Sequence, residues 1–269
     1  MHRLNLQEIQ QVLLGILKEI DSFCRVHNIR YSLAGGSLLG ALRHKGFIPW
    51  DDDADIIMPR PDYERFISLY NKESNSHFHV LTQEHTDDKW YVNCYSKMED
   101  CNTVSTEWGL RKSSIIGINI DVFPVDGLPD DPQIQKRKCK RIGHLSHLIS
   151  LNQKQWSQLF QKRPGPPLAF IEAHLRPLDY WLETSLKEML EYPFETSPYA
   201  AALAGLYRER EIFPKEVFLN YVEYPFEDTT LMGIKDAETY LTSLYGDWRQ
   251  PPQESKRQGK HQLEAYFKE

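Results

Sequence analysis

Apolar residues at positions 6, 9, 13, 16, 17, 20, 23 and 24 recur every three or four residues. That spacing lays them along one stripe of an α-helix and predicts a packing helix over about residues 6–27. A short strand at 29–33 follows and is broken by Gly35-Gly36, after which Ser37 is placed to cap a second helix through Leu38, Leu39, Ala41 and Leu42. Gly46 and Pro49 then punctuate a loop. Residues 53–58 alternate polar and apolar side chains in the manner of a strand, which Pro59-Arg60-Pro61 ends. Tyr63, Phe66, Ile67 and Tyr70 mark a third helix, and strands are expected at 78–81, 90–98 and 115–125. These elements predict an α/β half.

Beyond Pro129-Asp130-Asp131-Pro132 the pattern turns mainly helical, with helices expected at 134–151 and 168–190 around a Pro-rich break at 163–167. That stretch reads as a second, helical subdomain or a long insertion. The tail carries an extended piece near 222–226, a helix at 236–244 and a turn-rich segment from Tyr245 to Pro252. The expected organisation is an α/β core over 1–130, a mainly helical region over 131–215 and a C-terminal segment over 216–269.

The chain of 269 residues, 41% of them hydrophobic, is large enough to bury a core of its own. No stretch approaches membrane-spanning length, and residues 1–29 mix apolar with charged positions unlike a secretory signal, so a cytoplasmic location is expected. Cys24, Cys94, Cys101 and Cys139 are unevenly spaced and read as thiols. A net charge of −6 argues against nucleic acid as a partner. The local exception is the basic run Lys136-Arg137-Lys138-Cys139-Lys140-Arg141. It reads either as a solvated helix face or as a patch for an anionic membrane or polyanionic substrate.

Asp51-Asp52-Asp53, followed by Ala54 and Asp55, concentrate more negative charge than a folded surface carries without a counter-ion. Side chains two apart on a strand share a side, so Asp53 and Asp55 present two carboxylates together while Ala54 and Ile56 face the core. Paired hard oxygen ligands suit magnesium or manganese. Asp121, an acid inside the apolar run Ile118, Ile120, Val122 and Phe123, is the candidate third ligand from a neighbouring strand. The turn Gly35-Gly36, with Ser37 opening a helix, supplies backbone N–H groups suited to a phosphate. No glycine and closing glutamate sit where an EF-hand needs them, and no Cys-x-x-Cys pair supports zinc. Arg43, His44, Lys45 and Arg60 bracket the acids and either contact donor phosphates or neutralise the aspartates. Trp50 fills the core or stacks on a base, core filling being the simpler reading.

The run from Gly35 to Asp55, Gly-Gly-Ser-Leu-Leu-Gly-Ala-Leu-Arg-His-Lys-Gly-Phe-Ile-Pro-Trp-Asp-Asp-Asp-Ala-Asp, closely resembles the LicD family of phosphocholine transferases. The resemblance continues through residues 58–63, 97–103 and 120–127, and through Tyr245-Gly246-Asp247-Trp248 with Pro251-Pro252, while residues 133–213 show no matching motif. It implies an α/β (α+β) fold: a nucleotidyltransferase-like mixed sheet core flanked by helices, with the C-terminal segment completing the domain. It also implies transfer of phosphocholine from CDP-choline to a sugar hydroxyl of a cell-surface glycan precursor, of teichoic acid or lipopolysaccharide type, with release of CMP. Asp53, Asp55 and Asp121 then hold magnesium, Asp121 helps deprotonate the acceptor, and Gly35, Gly36 and Ser37, with charge from Arg43, His44 and Lys97, bind the donor. Fukutin-like relatives moving ribitol phosphate make another CDP-linked group an alternative. Nucleotidyl transfer and a non-catalytic nucleotide-binding protein are the other two. A lipid-linked acceptor would place the work at the inner membrane face, without a span.

Overall fold

The first helix follows its apolar stripe. In a computed structural model describing residues 2–85, 90–106, 116–153, 167–257 and 264–268, α1 (Leu6–His27) buries Ile9, Leu13, Ile16, Leu17, Ile20, Phe23 and Cys24. Asn5 and Glu8 close its N-terminus by exchanging side-chain and backbone hydrogen bonds. Strand β1 (Ser32–Leu33) leads through Gly35, at φ 48, into α2 (Gly35–His44). A left-handed φ is open to glycine at no side-chain cost, so the helix begins here, three residues before the expected start. Ser37 is therefore inside the helix and not its cap. Its Oγ instead accepts the Asp55 N–H at 2.9 Å and ties α2 to β2 (Asp55–Pro59).

Next come α3 (Arg60–Glu73), β3 (Phe78–Leu81) and the short β4 (Glu84–His85) and β5 (Trp90–Tyr91). They are followed by β6 (Ser96–Asp100), β7 (Thr103–Thr106) and β8 (Asn119–Leu128). The helical stretch comprises α4 (Pro132–Asn152), α5 (Pro167–His174) and α6 (Leu178–Met189). The single helix expected over 168–190 is two, because Pro177 has no N–H to donate and cannot continue the ladder. Most of the expected Pro-rich break, residues 163–166, lies outside the described residues.

The remaining elements are β9 (Tyr199–Ala201), β10 (Phe213–Pro214), β11 (Tyr221–Phe226), β12 (Thr229–Ile234), α7 (Ala237–Tyr245) and β13 (Glu264–Phe267). Among the described residues a mixed nine-stranded sheet runs β10-β9-β8-β2-β1-β12-β11, with β6 joining β8 to β3. Strand β8 is the hub, pairing in parallel with β2 and antiparallel with β6 through its first half and with β9 through its last. The sheet thus crosses both boundaries expected at 130 and 215. Residues 199–214 extend one side of it, and 221–234 extend the other by parallel pairing of β12 with β1.

Buried apolar side chains form four clusters among the described residues. The larger core lies between the sheet and α1, α2, α3 and α7. A smaller one joins Leu145, Leu148 and Ile149 of α4 to Phe170 of α5 and Trp181 of α6. All four cysteines are free, and no helix among the described residues is long and apolar enough to cross a membrane.

Candidate functional site

Parallel pairing of β2 with β8 sets Asp55 opposite Asp121, locked by the Asp121 N–H donating to the Ala54 carbonyl at 3.1 Å. Side chains alternate along β8, so Ile120 and Val122 are buried while Asp121 and Phe123 share the opposite, less buried side. Both line a cleft of about 390 Å³ that also receives Asp51, Asp53 and Asp55. Asp53 stands in the loop just before β2, yet its carboxylate joins the same cleft as Asp55.

Four carboxylates in one cleft repel one another. Burial first, then the charges of Asp53, Asp121 and Asp51, push the Asp55 carboxyl well above its ordinary range, and Lys97 pulls it back. The ligand atoms of Asp51, Asp52 and Asp53 lie within 4.8 Å of one another. Asp52 is buried, does not line the cleft, and leaves Oδ1 without a hydrogen-bond partner among the described residues. Converging hard oxygen donors of this kind fit magnesium or manganese. The expected set, Asp53, Asp55 and Asp121, opens together with Asp51 onto a cleft with room for a phosphate, whereas Asp52 of the 51–53 group does not.

Gly35 and Gly36 form the floor beside these acids. A Cβ on Gly35 would sit 3.4 Å from Tyr245 Oη and 3.5 Å from Asp55 Oδ2, and one on Gly36 3.0 Å from Asp51 Oδ2. Glycine keeps that space open at the N-terminus of α2, the end of a helix whose amides lack intrahelical partners. Ser37 does not line the cleft and supports it from behind through Asp55.

The basic residues divide. Lys97 is buried, its Nζ 2.6 Å from Asp121 Oδ1 and donating to Asn119 Oδ1 at 2.8 Å, so it compensates the acidic cluster from beneath and does not line the cleft. Arg43 and His44 lie in the last turn of α2, about 12 Å along the axis from Gly35. There Arg43 donates to His44 Nε2 at 2.9 Å and to the Trp248 carbonyl at 2.8 Å. Neither side chain reaches the cleft, because the helix that begins at the acids carries its own C-terminus away from them. Arg60 is held in a buried ion pair with Asp126. Trp50 is half-buried against the larger core, with the Arg257 guanidinium 5.4 Å from its ring centre. Within the basic run, Lys138 is buried against Glu188 and Glu191 and Arg141 faces Glu188, while Lys136, Arg137 and Lys140 are exposed.

The opposite wall comes from the loop after β9 and the end of α7, which bring in Tyr207, Arg208, Glu211 and Tyr245. Tyr207 Oη donates to Tyr245 Oη at 3.2 Å, and the two rings meet nearly at right angles, 5.5 Å between centres. Glu211 is 5% exposed and accepts the Tyr240 hydroxyl at 2.7 Å, and burial pushes its carboxyl up to about 7 against that bond. Sequence reasoning passed over Tyr207, Arg208 and Glu211, since Arg208-Glu209-Arg210-Glu211 looks like solvated surface. Tyr245 stood within a resembling segment without an assigned role.

Residues 28–130 match the family model described as LicD/FKTN/FKRP, nucleotidyltransferase domain. A lipopolysaccharide cholinephosphotransferase LicD of Haemophilus influenzae is 32% identical over 274 residues, covering 99% of this chain and 100% of that protein. Shorter similarities link the chain to uncharacterised proteins of Rickettsia typhi, 27% identical over 107 residues (29% of this chain, 35% of that one), and of Rickettsia prowazekii, 46% identical over 41 residues (15% of each).

Proposed function

The chain belongs to the LicD family, and on that footing we propose that its acidic cleft transfers phosphocholine from CDP-choline to a sugar hydroxyl of a cell-surface glycan precursor, releasing CMP. The observation that carries this is the pairing of Asp55 with Asp121, which sets their carboxylates with those of Asp51 and Asp53 before the N-terminus of α2. The Haemophilus relative, named as a lipopolysaccharide cholinephosphotransferase, supports the choice of group and acceptor class.

Asp53, Asp55 and Asp121 are the residues that would hold magnesium or manganese, with Asp51 within the same cleft. A bound ion of that kind neutralises a diphosphate and supports in-line displacement at phosphorus. The first-turn amides at Gly35 and Gly36 orient phosphate oxygens, and Lys97 holds Asp121 in place. The acceptor hydroxyl oxygen bonds to the phosphorus distal to the nucleoside, the bond to the bridging oxygen breaks, CMP leaves with that electron pair, and the acceptor proton passes to Asp121. A lipid-linked acceptor would bring this work to the cytoplasmic membrane face.

The test is CMP release from CDP-choline with a glycan precursor, with magnesium or with a chelator, in the native chain and in Asp53→Ala and Asp55→Ala. Release that needs both the ion and the acids is expected. Undiminished turnover in either variant overturns the assignment, pyrophosphate in place of CMP identifies nucleotidyl transfer, and CMP from another CDP-linked donor alone replaces choline as the group moved. Binding without any release would leave a nucleotide-binding protein.

A further inference from the structure

We propose, resting on the transfer reading above, that the corner formed by Tyr207 and Tyr245 together with Glu211 is the subsite that receives the quaternary ammonium of the donor. The corner is built as a cation receptor. Two rings at 79°, 5.5 Å between centres, line the cleft and supply faces whose quadrupoles attract a cation without hydrogen bonds. Their hydroxyls are engaged with each other. Behind them Glu211 is buried and accepts from Tyr240, and no ion pair joins it to a Lys, Arg or His among the described residues. A buried acid that lines a cleft and has no cation of its own favours its charged form once a cation sits beside it, so the cleft wall at Glu211 rewards a bound cation.

The arginine on this wall does not fill that role. Arg208 turns its guanidinium onto α4, where Nη1 would lie 3.5 Å from a Cβ on Gly143, and its Nε has no hydrogen-bond partner among the described residues. The corner also adjoins the acids. Tyr245 Oη and Asp55 Oδ2 both lie within 3.5 Å of the Cβ position of Gly35, so the short P–O–C–C–N chain of phosphocholine spans from a phosphate on the acidic side to the aromatic corner. A quaternary ammonium carries no N–H, and it suits ring faces beside a carboxylate whose hydrogen bonding is already served by tyrosine.

The experiment is calorimetric binding of CDP-choline and CDP-glycerol, with magnesium, to the native chain and to Glu211→Gln, Tyr207→Leu and Tyr207→Phe. The native chain should bind CDP-choline about tenfold tighter than CDP-glycerol. Glu211→Gln and Tyr207→Leu should bring the two donors towards equal affinity, and Tyr207→Phe, which keeps the ring, should retain the preference. No preference in the native chain, or a preference that survives both Glu211→Gln and Tyr207→Leu, overturns the subsite. Should Glu211→Gln fail to fold, the contrast between Tyr207→Leu and Tyr207→Phe decides. CMP release with an unaltered preference removes the subsite alone; a preference lost in the variants without CMP release keeps the subsite and removes the transfer reading.

Discussion

Replacing Glu211 with glutamine should stabilise the protein at alkaline pH and leave it unchanged in acid. The Glu211 carboxyl is pushed from 4.5 up to about 7 because it is buried with one hydrogen bond, from Tyr240. Between those values the native state keeps a proton that the unfolded chain has lost, so wild-type stability falls as pH rises through this window. Above it the native state carries an ionised buried carboxylate, and a shift of this size corresponds to a loss of about 3 kcal/mol relative to acid. Glutamine has the same shape, still accepts the Tyr240 hydroxyl, and does not ionise. The difference in melting temperature, variant minus wild type, should be near zero at pH 4.5 and grow to about 6–12 °C by pH 8 for a chain of this length. Scanning calorimetry without divalent ions measures it. Asp55 and Asp126, also raised by burial, titrate in both proteins and cancel. A difference that stays flat across the window would refute the burial of an ionisable Glu211.

In Asp55→Asn the repulsion among the cleft carboxylates is relieved, so its melting temperature without divalent ions should exceed that of wild type at pH 8. Magnesium at about a hundred times its dissociation constant should add about 2.7 kcal/mol to wild type, and the increment should vanish in the variant; equal increments would place the ion elsewhere. Gly35→Ala imposes a side chain at φ 48 and should cost about 1–2 kcal/mol in urea unfolding while raising the donor KM, since the methyl enters the space between Tyr245 and Asp55. Arg43→Ala should lose about 1 kcal/mol with its bond to the Trp248 carbonyl and leave the donor KM unchanged. A severalfold rise in that KM would bring Arg43 back to the phosphates.

What the chain discloses on its own is whatever depends on local periodicity. The helix Leu6–His27 is legible because its buried residues follow the helical repeat. Asp53 and Asp55 are legible as members of one dense acidic run, although Asp53 stands in the loop before β2 and not on the strand that alternation predicts, and Asp121 is legible because an acid inside an apolar run needs a reason to be there. Register, helix direction and long-range pairing belong to the tertiary structure. Only the β2–β8 ladder sets Asp55 opposite Asp121 across more than sixty positions, and only the rise of α2 shows that Arg43, close to Asp51 in sequence, points away from it. The pairing of β9 with β8 carries the loop holding Tyr207 and Glu211 into the cleft, and α7 delivers Tyr245 to meet it. The amino-acid sequence alone determined which residues have chemistry to offer, and the fold decided which of them share a cleft, because burial and contact across the sheet are set by pairings that no local repeat encodes.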